Sequence, residues 1–203
     1  MRGTWFVFLG VAVFVAFVVI AAIAWCLVFY RAGDRRAESF SKNTPLEIVY
    51  VVIPCIIVTL LFVLTMRTEI PVDAVAAGPN VNVVSVTAFQ WSWRFAYADG
   101  RIVTYGTPQA PPTLYLPVGR DTEIVLRSDD VTHSFWVPAF LFKRDAIPGM
   151  VNRFTITPTR LGRFLGRCAQ FCGLDHALMT FAVDVVPTRA YARFIDTNGA
   201  DLP

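Results

Sequence analysis

Two long apolar segments without charge occupy most of the first third of the sequence. The residues from Gly3 to Tyr30 carry no charged side chain, and a second uncharged run extends from Ile48 to Met66. A helix needs about 20 apolar residues to cross the hydrocarbon core of a bilayer, so we predict membrane spans at residues 5–30 and 46–66. The first run is too long for the apolar core of a signal peptide, and no small-residue cleavage pattern follows it. We therefore expect residues 1–70 to form a transmembrane helical hairpin.

Basic residues between the two spans set the expected orientation. The connection contains Arg31, Arg35, Arg36 and Lys42, whereas only Arg2 precedes the first span. Connections rich in Lys and Arg stay on the cytoplasmic side of a membrane. The large excess of arginine over lysine is typical of a GC-rich bacterial genome. We therefore expect a two-pass protein of the bacterial plasma membrane, with both termini and the C-terminal domain on the outer, periplasmic face.

Residues 71–203 carry the pattern of a β-rich external domain. The segment Val81–Tyr97 alternates between the two faces expected of a strand and is rich in valine and aromatic residues. Shorter runs follow between prolines and glycines: Ile102–Tyr105, Thr113–Leu116, Thr122–Arg127, Ser134–Val137, Val151–Thr157, Arg163–Cys168 and Met179–Val186. Many short strands at regular spacing predict a sandwich or barrel. A short amphipathic helix is expected from Arg189 to Asp196, so the fold class is a membrane-anchored all-β protein.

The charge pattern excludes some classes of partner. Only 16% of the residues are charged, and the formal net charge is +3. No run of Lys or Arg is dense enough to follow a phosphate backbone, so we expect no nucleic acid partner.

Soft metal-ligating side chains are concentrated in one short segment. The sequence from Cys168 to Met179 has the spacing C-x3-C-x3-H-x2-M, with Cys172 and His176 between the two ends. The second histidine of the chain, His133, lies 35 residues upstream at the start of an expected strand. Taken singly, each of these residues is compatible with ordinary core packing. Together they account for both histidines and both cysteines outside the apolar spans, which predicts one metal site.

The donor types favour copper. Thiolate, imidazole and thioether groups suit copper or zinc better than magnesium or calcium. A structural zinc site needs four nitrogen or sulfur ligands and would leave Met179 unused. A mononuclear blue copper site needs one cysteine only. The second cysteine therefore permits two copper ions bridged by both sulfurs. Each ion would take one histidine, Met179 would be the weak ligand of one ion, and the main-chain oxygen of Gln170 would be that of the other.

These residues resemble subunit II of cytochrome c oxidase, the subunit of haem–copper oxidases that carries the dinuclear CuA centre. The similarity covers almost the whole chain and is carried by QWSW at Gln90–Trp93, DDVTHSFWVP at Asp129–Pro138, KRDAIPG at Lys143–Gly149 and CAQFCGLDHALM at Cys168–Met179. It implies a cupredoxin-like domain and copper ligands at His133, Cys168, Gln170, Cys172, His176 and Met179. It also implies the partners: oxidase subunit I, further oxidase subunits and a cytochrome c that is either soluble or bound to the membrane.

The resemblance assigns roles to further positions. Trp91 corresponds to the residue through which cytochrome c electrons enter, where a buried core tryptophan is the alternative. Glu47 corresponds to the glutamate at the mouth of the K proton pathway, where a solvated carboxylate at the membrane edge is the alternative. Asp129 and Asp130 correspond to acidic positions that steer cytochrome c, where a solvated turn is the alternative. Asp145 corresponds to a residue close to the subunit I interface.

Two positions depart from the family pattern. Gln170 stands where many members have a glutamate whose side chain also binds magnesium at the subunit I interface, and an amide oxygen is a weaker donor to that hard cation. Ser92 stands between the two tryptophans where an aromatic residue is usual.

The function that the resemblance implies is electron transfer in an aa3-type oxidase. The chain would accept electrons from cytochrome c and pass them to haem in subunit I, where dioxygen is reduced to water and protons are pumped. Three alternatives remain: a quinol oxidase subunit, in which the copper ligands are lost, a membrane-tethered copper chaperone or storage protein, and a structural zinc domain.

Overall fold

The computed structural model of the protein describes residues 2–30, 42–73, 75, 78 and 81–200. The chain separates into two compact units, Met1–Pro71 and Val72–Pro203.

The first unit consists of two long helices, α1 (Arg2–Phe29) and α2 (Thr44–Asp73). Both helices are long and apolar enough to cross a membrane. A contact of 3.4 Å between the hydroxyl groups of Thr4 and Thr68 brings the start of α1 beside the end of α2, as in an antiparallel hairpin. The basic residues Arg31, Arg35 and Arg36, on which the predicted orientation depends, lie outside the described residues.

The described part of the second unit folds into two five-stranded sheets and a short helix. The strands are β1 (Asn82–Phe89), β2 (Ser92–Tyr97), β3 (Ile102–Tyr105), β4 (Thr113–Pro117), β5 (Thr122–Ser128), β6 (His133–Val137), β7 (Phe142–Ala146), β8 (Asn152–Ile156), β9 (Gly162–Cys168) and β10 (Thr180–Val186). One sheet has the order β3-β2-β1-β5-β8, and the other has the order β4-β10-β9-β6-β7. The helix α3 (Thr188–Asp196) follows the last strand. This mostly β domain after two apolar helices confirms the predicted fold class.

Strand β7 is not among the strands that the sequence pattern predicts. Strand β7 pairs antiparallel with β6 at the edge of its sheet, but its sequence FKRDA has no apolar alternation. Its single large apolar side chain, Phe142, packs on Phe154 with ring centroids 4.5 Å apart. Charged residues are common on edge strands because they discourage pairing with other chains. The charges that hid the strand from pattern recognition are thus typical of its position.

Aromatic rings join the two sheets in a shared core. Phe181 of β10 stacks on Phe135 of β6, with centroids 4.9 Å apart, and contacts Trp93 of β2, in the other sheet, at 5.1 Å. All three side chains are buried, and each contributes about 1.5–3 kcal/mol by leaving water. Gly166, opposite Phe181 in the register, leaves room for that ring, because a Cβ atom there would lie 2.2 Å from it. This core lies directly under the segments that carry the soft donor atoms.

Strand register brings two distant parts of the sequence together. Phe135 of β6 pairs with Cys168 at the end of β9, so His133 lies two residues from the partner of that cysteine. Two backbone hydrogen bonds extend the pairing. The N–H of Ala169 donates to the carbonyl oxygen of Ser134 at 3.1 Å, and the N–H of Cys168 donates to the carbonyl oxygen of Met179 at 2.9 Å. The loop from Cys168 to Met179 therefore begins and ends beside the start of β6.

Candidate metal centre

His133 is the upstream donor, and the fold holds it inside the domain. It is the first residue of β6 and its side chain is completely buried. Its Nδ1 atom lies 3.9 Å from Sγ of Cys168, and its Nε2 atom lies 2.8 Å from a carboxylate oxygen of Asp130. An acceptor at Nε2 keeps the proton on that nitrogen and leaves the Nδ1 lone pair free toward the cysteine, which is the arrangement of a metal-ligating histidine.

Asp130 is fixed by several donors besides the histidine. Its carboxylate accepts hydrogen bonds of 2.6 Å from the backbone N–H groups of Gln90 and Val131. Burial raises the pKa of the Asp130 carboxyl, but the hydrogen bonds from His133 and from these two amides outweigh it, so that the pKa lies below its ordinary value. The carboxylate therefore stays ionised and orients the His133 ring.

The segment from Cys168 to Met179 supplies the other donor atoms. Sγ of Cys168 lies 3.9 Å from Sγ of Cys172 and 3.2 Å from the carbonyl oxygen of Gln170. Sγ of Cys172 lies 3.5 Å from Nδ1 of His176 and 3.7 Å from Sδ of Met179. The two cysteines and Met179 are buried, whereas His176 is partly exposed. The structure thus brings all six residues of the expected ligand set to one place.

The two thiols influence each other's ionisation. Burial raises the pKa of the Cys168 thiol, but its contacts with the His133 side chain and with the backbone at Gln170 bring that pKa down to about 7. Burial and the neighbouring charge of Cys168 raise the pKa of Cys172 to about 12. The second thiolate is therefore disfavoured next to the first. A cation bound to both sulfurs removes this penalty, since thiolates are the form that binds metals.

The donor set fits copper. The ligand atoms of His133, Cys168 and Cys172 all lie within 4.8 Å of one another. Because a metal–thiolate bond is about 2.3 Å long, sulfurs 3.9 Å apart can both bond to one ion. Two histidines and two cysteines would also satisfy zinc, but the buried thioether of Met179 beside Cys172 has no place in a four-ligand zinc site. A methionine thioether beside cysteine and histidine ligands is typical of copper sites for electron transfer.

The turn between β1 and β2 lies against this centre. Trp91 is partly buried, and its indole N–H donates to the carbonyl oxygen of Cys172 at 3.0 Å. The side-chain amide of Gln90 donates to the same oxygen at 2.8 Å. The peptide bond between Gln90 and Trp91 is cis. The resemblance assigns a role to Trp91 but none to Gln90. The contact of the Gln90 side chain with Cys172 depends on the shape of the turn, which residue spacing does not predict.

Other predicted site residues have different surroundings. Asp129 is exposed and forms an ion pair of 3.1 Å with Arg94. Asp145 lies in β7 opposite Ser134, and one of its carboxylate oxygens is buried with no hydrogen-bond partner among the described residues. Glu47 belongs to the other unit, where it is exposed in the first turn of α2.

Apolar side chains project from the ligand-bearing loop. Phe171 is 78% exposed and Leu174 is 88% exposed, and Leu178 is also exposed. Each of the three is a large apolar residue next to an expected ligand or between expected ligands. Exposed apolar residues grouped together often mark an interaction surface.

The sequence is similar to known subunits of cytochrome c oxidase. A family model described as cytochrome c oxidase subunit II, periplasmic domain, matches residues 109–186. The chain is 35% identical to a probable cytochrome c oxidase subunit 2 of Streptomyces avermitilis, over 96% of this chain and 72% of the relative. It is 34% identical to cytochrome c oxidase subunit 2 of Corynebacterium glutamicum, over 90% of this chain and 69% of the relative.

A solved structure shows the same architecture in the external domain. The periplasmic domain of subunit II of cytochrome oxidase from Bradyrhizobium japonicum superimposes with a TM-score of 0.54 and 29% sequence identity. The match covers 62% of this chain and 96% of that structure. This similarity supports a cupredoxin-like fold for the second unit.

Proposed function

Because the chain belongs to the cytochrome c oxidase subunit II family, a membrane-anchored component of haem–copper terminal oxidases, we propose that it is the subunit through which electrons enter an aa3-type oxidase. In this proposal it accepts electrons from cytochrome c at a dinuclear CuA centre and delivers them to haem in subunit I. Dioxygen is reduced to water in subunit I, and protons are pumped across the membrane.

The observation that carries this proposal is the continuous series of soft donors. His133, Cys168, Cys172 and His176 follow one another with gaps of 3.9, 3.9 and 3.5 Å between neighbouring donor atoms. Met179 and the carbonyl of Gln170 lie at the two cysteines. One histidine beside each of two adjacent thiols is a donor set that would hold a dinuclear copper centre. Copper bound there would supply a one-electron carrier.

The fold holds these donor atoms in fixed positions and shields most of them from solvent. His133, Met179 and both cysteines are buried, and the aromatic core lies beneath them. A set of ligands that cannot move when its charge changes keeps the reorganisation energy of electron transfer small. The partly exposed His176 is the ligand open to the surface, and we assign it the role of passing electrons toward haem in subunit I.

The electron donor in this proposal is a cytochrome c that docks beside Trp91. The indole of Trp91 is linked through its N–H to the carbonyl of the ligand residue Cys172, so it offers a short route from the surface to the centre. The exposed Phe171 and Leu174 supply apolar area for docking. Asp129 is already paired with Arg94, which leaves less free negative charge for steering than an unpaired carboxylate would provide.

The membrane unit supplies the proposed proton route. We assign a cytoplasmic connection between α1 and α2, with both termini and the copper domain on the periplasmic side, and Glu47 as a group through which protons enter. Ionisable residues at membrane depth are costly and often mark ion paths. Glu47→Gln in the assembled oxidase is expected to slow turnover while reduction of the copper centre by cytochrome c stays normal. Unchanged turnover of the Glu47→Gln oxidase would show that Glu47 is not needed for proton entry.

Rapid-mixing kinetics on the assembled oxidase tests the whole proposal. We expect reduced cytochrome c to reduce the copper chromophore first and the haem of subunit I afterwards. A variant with Trp91→Ala should slow the first step without changing the haem content of the complex. Haem reduction that precedes reduction of the copper chromophore would contradict the proposal.

A further inference from the structure

The turn between β1 and β2 is tied to the upstream half of the metal centre. The backbone N–H of Gln90 donates to one oxygen of the Asp130 carboxylate at 2.6 Å. The other oxygen of that carboxylate accepts from Nε2 of His133 at 2.8 Å. A single carboxylate therefore connects the turn to the buried histidine, and any displacement of the turn is transmitted to the His133 ring.

The same turn is tied to the downstream half through a different atom. The carbonyl oxygen of Cys172 accepts two hydrogen bonds, one from the side-chain amide of Gln90 at 2.8 Å and one from the indole of Trp91 at 3.0 Å. A carbonyl oxygen has two lone pairs, so these two donors use its full capacity. The backbone at Cys172 is therefore held by groups that do not belong to its own loop.

Close packing at Gly173 shows how tightly the turn and the loop fit. Gly173 has a φ of +118°, a conformation that residues with a Cβ atom rarely adopt. A Cβ atom at this position would lie 3.1 Å from Nε1 of Trp91 and 3.3 Å from Nε2 of Gln90. Glycine thus lets the loop backbone approach the two side chains that hold it.

We propose that the Gln90–Trp91 turn is a clamp that positions Cys172 against His133, with Gln90 as a positioning residue for the metal ligands. The proposal rests on the proposed function, because it concerns how this chain prepares its copper ligands. Gln90 makes none of the expected metal bonds and acts only through Asp130 and Cys172. The clamp also gives Trp91 a second role besides electron transfer, because the hydrogen bond from its indole N–H to the Cys172 carbonyl also holds the loop in place.

The physical basis is that outer contacts fix the orientation of metal ligands. His133 comes from a strand and Cys172 from a loop, so their relative position depends on whatever connects those two elements. Loss of such outer partners typically weakens metal affinity about 10- to 100-fold. Removing one of the two donors leaves the Cys172 carbonyl paired by the other, so the fold survives single substitutions that loosen the clamp.

The test compares two single variants and a matched control in the full-length chain, purified in detergent and loaded with copper. Gln90→Met removes the amide donors at similar size, and Trp91→Phe keeps an aromatic ring but removes the N–H. Gln109→Met makes the same chemical change as the first variant at an exposed position between β3 and β4. The measurements are copper loss to a chelator, the visible spectrum of the copper–sulfur chromophore and the melting temperature of the metal-free chain.

We expect Gln90→Met and Trp91→Phe each to lose copper about tenfold faster than the wild type and to shift the copper–sulfur absorption. Gln109→Met should match the wild type in both measurements. The clamp would be overturned if both variants lost copper at the wild-type rate and had the wild-type spectrum. It would also be overturned if their melting temperatures fell while the spectrum stayed unchanged. A wild-type chain that takes up no copper would overturn the proposed function and the clamp together.

Discussion

The two regions that bring ligands to the metal centre are built in different ways. His133 stands at the start of a strand, is completely buried and is fixed by the Asp130 carboxylate. The segment from Cys168 to Met179 begins at the last residue of β9 and continues as the loop before β10, and its histidine, His176, is partly exposed. Both regions therefore place donor atoms in the core, but only the second one keeps a ligand, His176, partly exposed.

This difference separates two tasks that a metal centre for electron transfer must combine. The strand that carries His133 gives a fixed reference position, because strand pairing and core packing resist displacement. The loop concentrates most of the donor atoms and keeps one ligand, His176, open toward the surface. Substitutions in the two regions are therefore expected to differ in how much they affect the fold and how much they affect the metal.

Among the substitutions considered, Cys172→Ser in the loop should have the largest effect on metal binding and activity. A hydroxyl group is a poor ligand for a soft metal, so the proposed copper site would lose one of its two thiolate donors. Cytochrome c oxidation by the assembled oxidase should fall by more than the 10- to 100-fold that outer contacts cost, and the copper content of the chain should drop. Cys55→Ser in α2 is the matched control. Normal activity in the first variant would contradict the assignment of Cys172.

Alanine at the two histidines separates the regions by stability. In the metal-free chain, His133→Ala should lower the free energy of unfolding by about 2–3 kcal/mol, since it opens a cavity and leaves Asp130 short of a partner. His176→Ala should change it by less than about 0.5 kcal/mol because the side chain is partly exposed. Denaturant unfolding followed by tryptophan fluorescence measures both. Equal losses would show that the two regions are anchored alike.

The core beneath both regions can be perturbed at Gly166. A methyl group there would meet the ring of Phe181, which must move out of its stack with Phe135. Overpacking of this kind costs about 1–3 kcal/mol, so Gly166→Ala should lower the melting temperature of the metal-free chain. Gly3→Ala, at a position with open space around it, provides a control. An unchanged melting temperature would mean that the ring has room to move.

The smallest effect is expected at the exposed ion pair of Arg94 and Asp129. Exposed pairs contribute less than about 1 kcal/mol, so Arg94→Ala should leave stability nearly unchanged. The freed Asp129 carboxylate should make reduction by a basic cytochrome c faster at low ionic strength and more sensitive to salt. Arg153→Ala removes a similar pair with Glu123 at the opposite end of β5. Identical salt dependence in both variants would exclude Asp129 from steering.

Much of this architecture follows from the sequence, because the patterns involved are local. Charge-free runs of sufficient length gave the two helices, and alternation gave most of the strands. The spacing from Cys168 to Met179 predicted a single site, since residues so close in sequence cannot lie far apart. The nearness of His133 was harder to derive, because it depends on the register between β6 and β9, which no single segment encodes.

The contacts around the ligands were not predictable in the same way. The resemblance implies a steering role for Asp130, with a solvated turn as the alternative, and neither interpretation predicts that its carboxylate also holds the His133 ring and two backbone amides. Gln90 was not singled out, because a glutamine in a turn has no characteristic pattern. Hydrogen bonds of this kind arise from the shape of turns and from packing between distant segments, which appear only when the chain is folded.

The central claim is that two regions of this chain hold two copper ions as one unit. It is tested most directly by copper analysis and electron paramagnetic resonance on the purified, copper-loaded full-length chain. We predict two copper ions per chain, a purple colour and a signal from one unpaired electron shared by both ions. A colourless chain with a single zinc ion, or a signal from one isolated copper ion, would contradict the account.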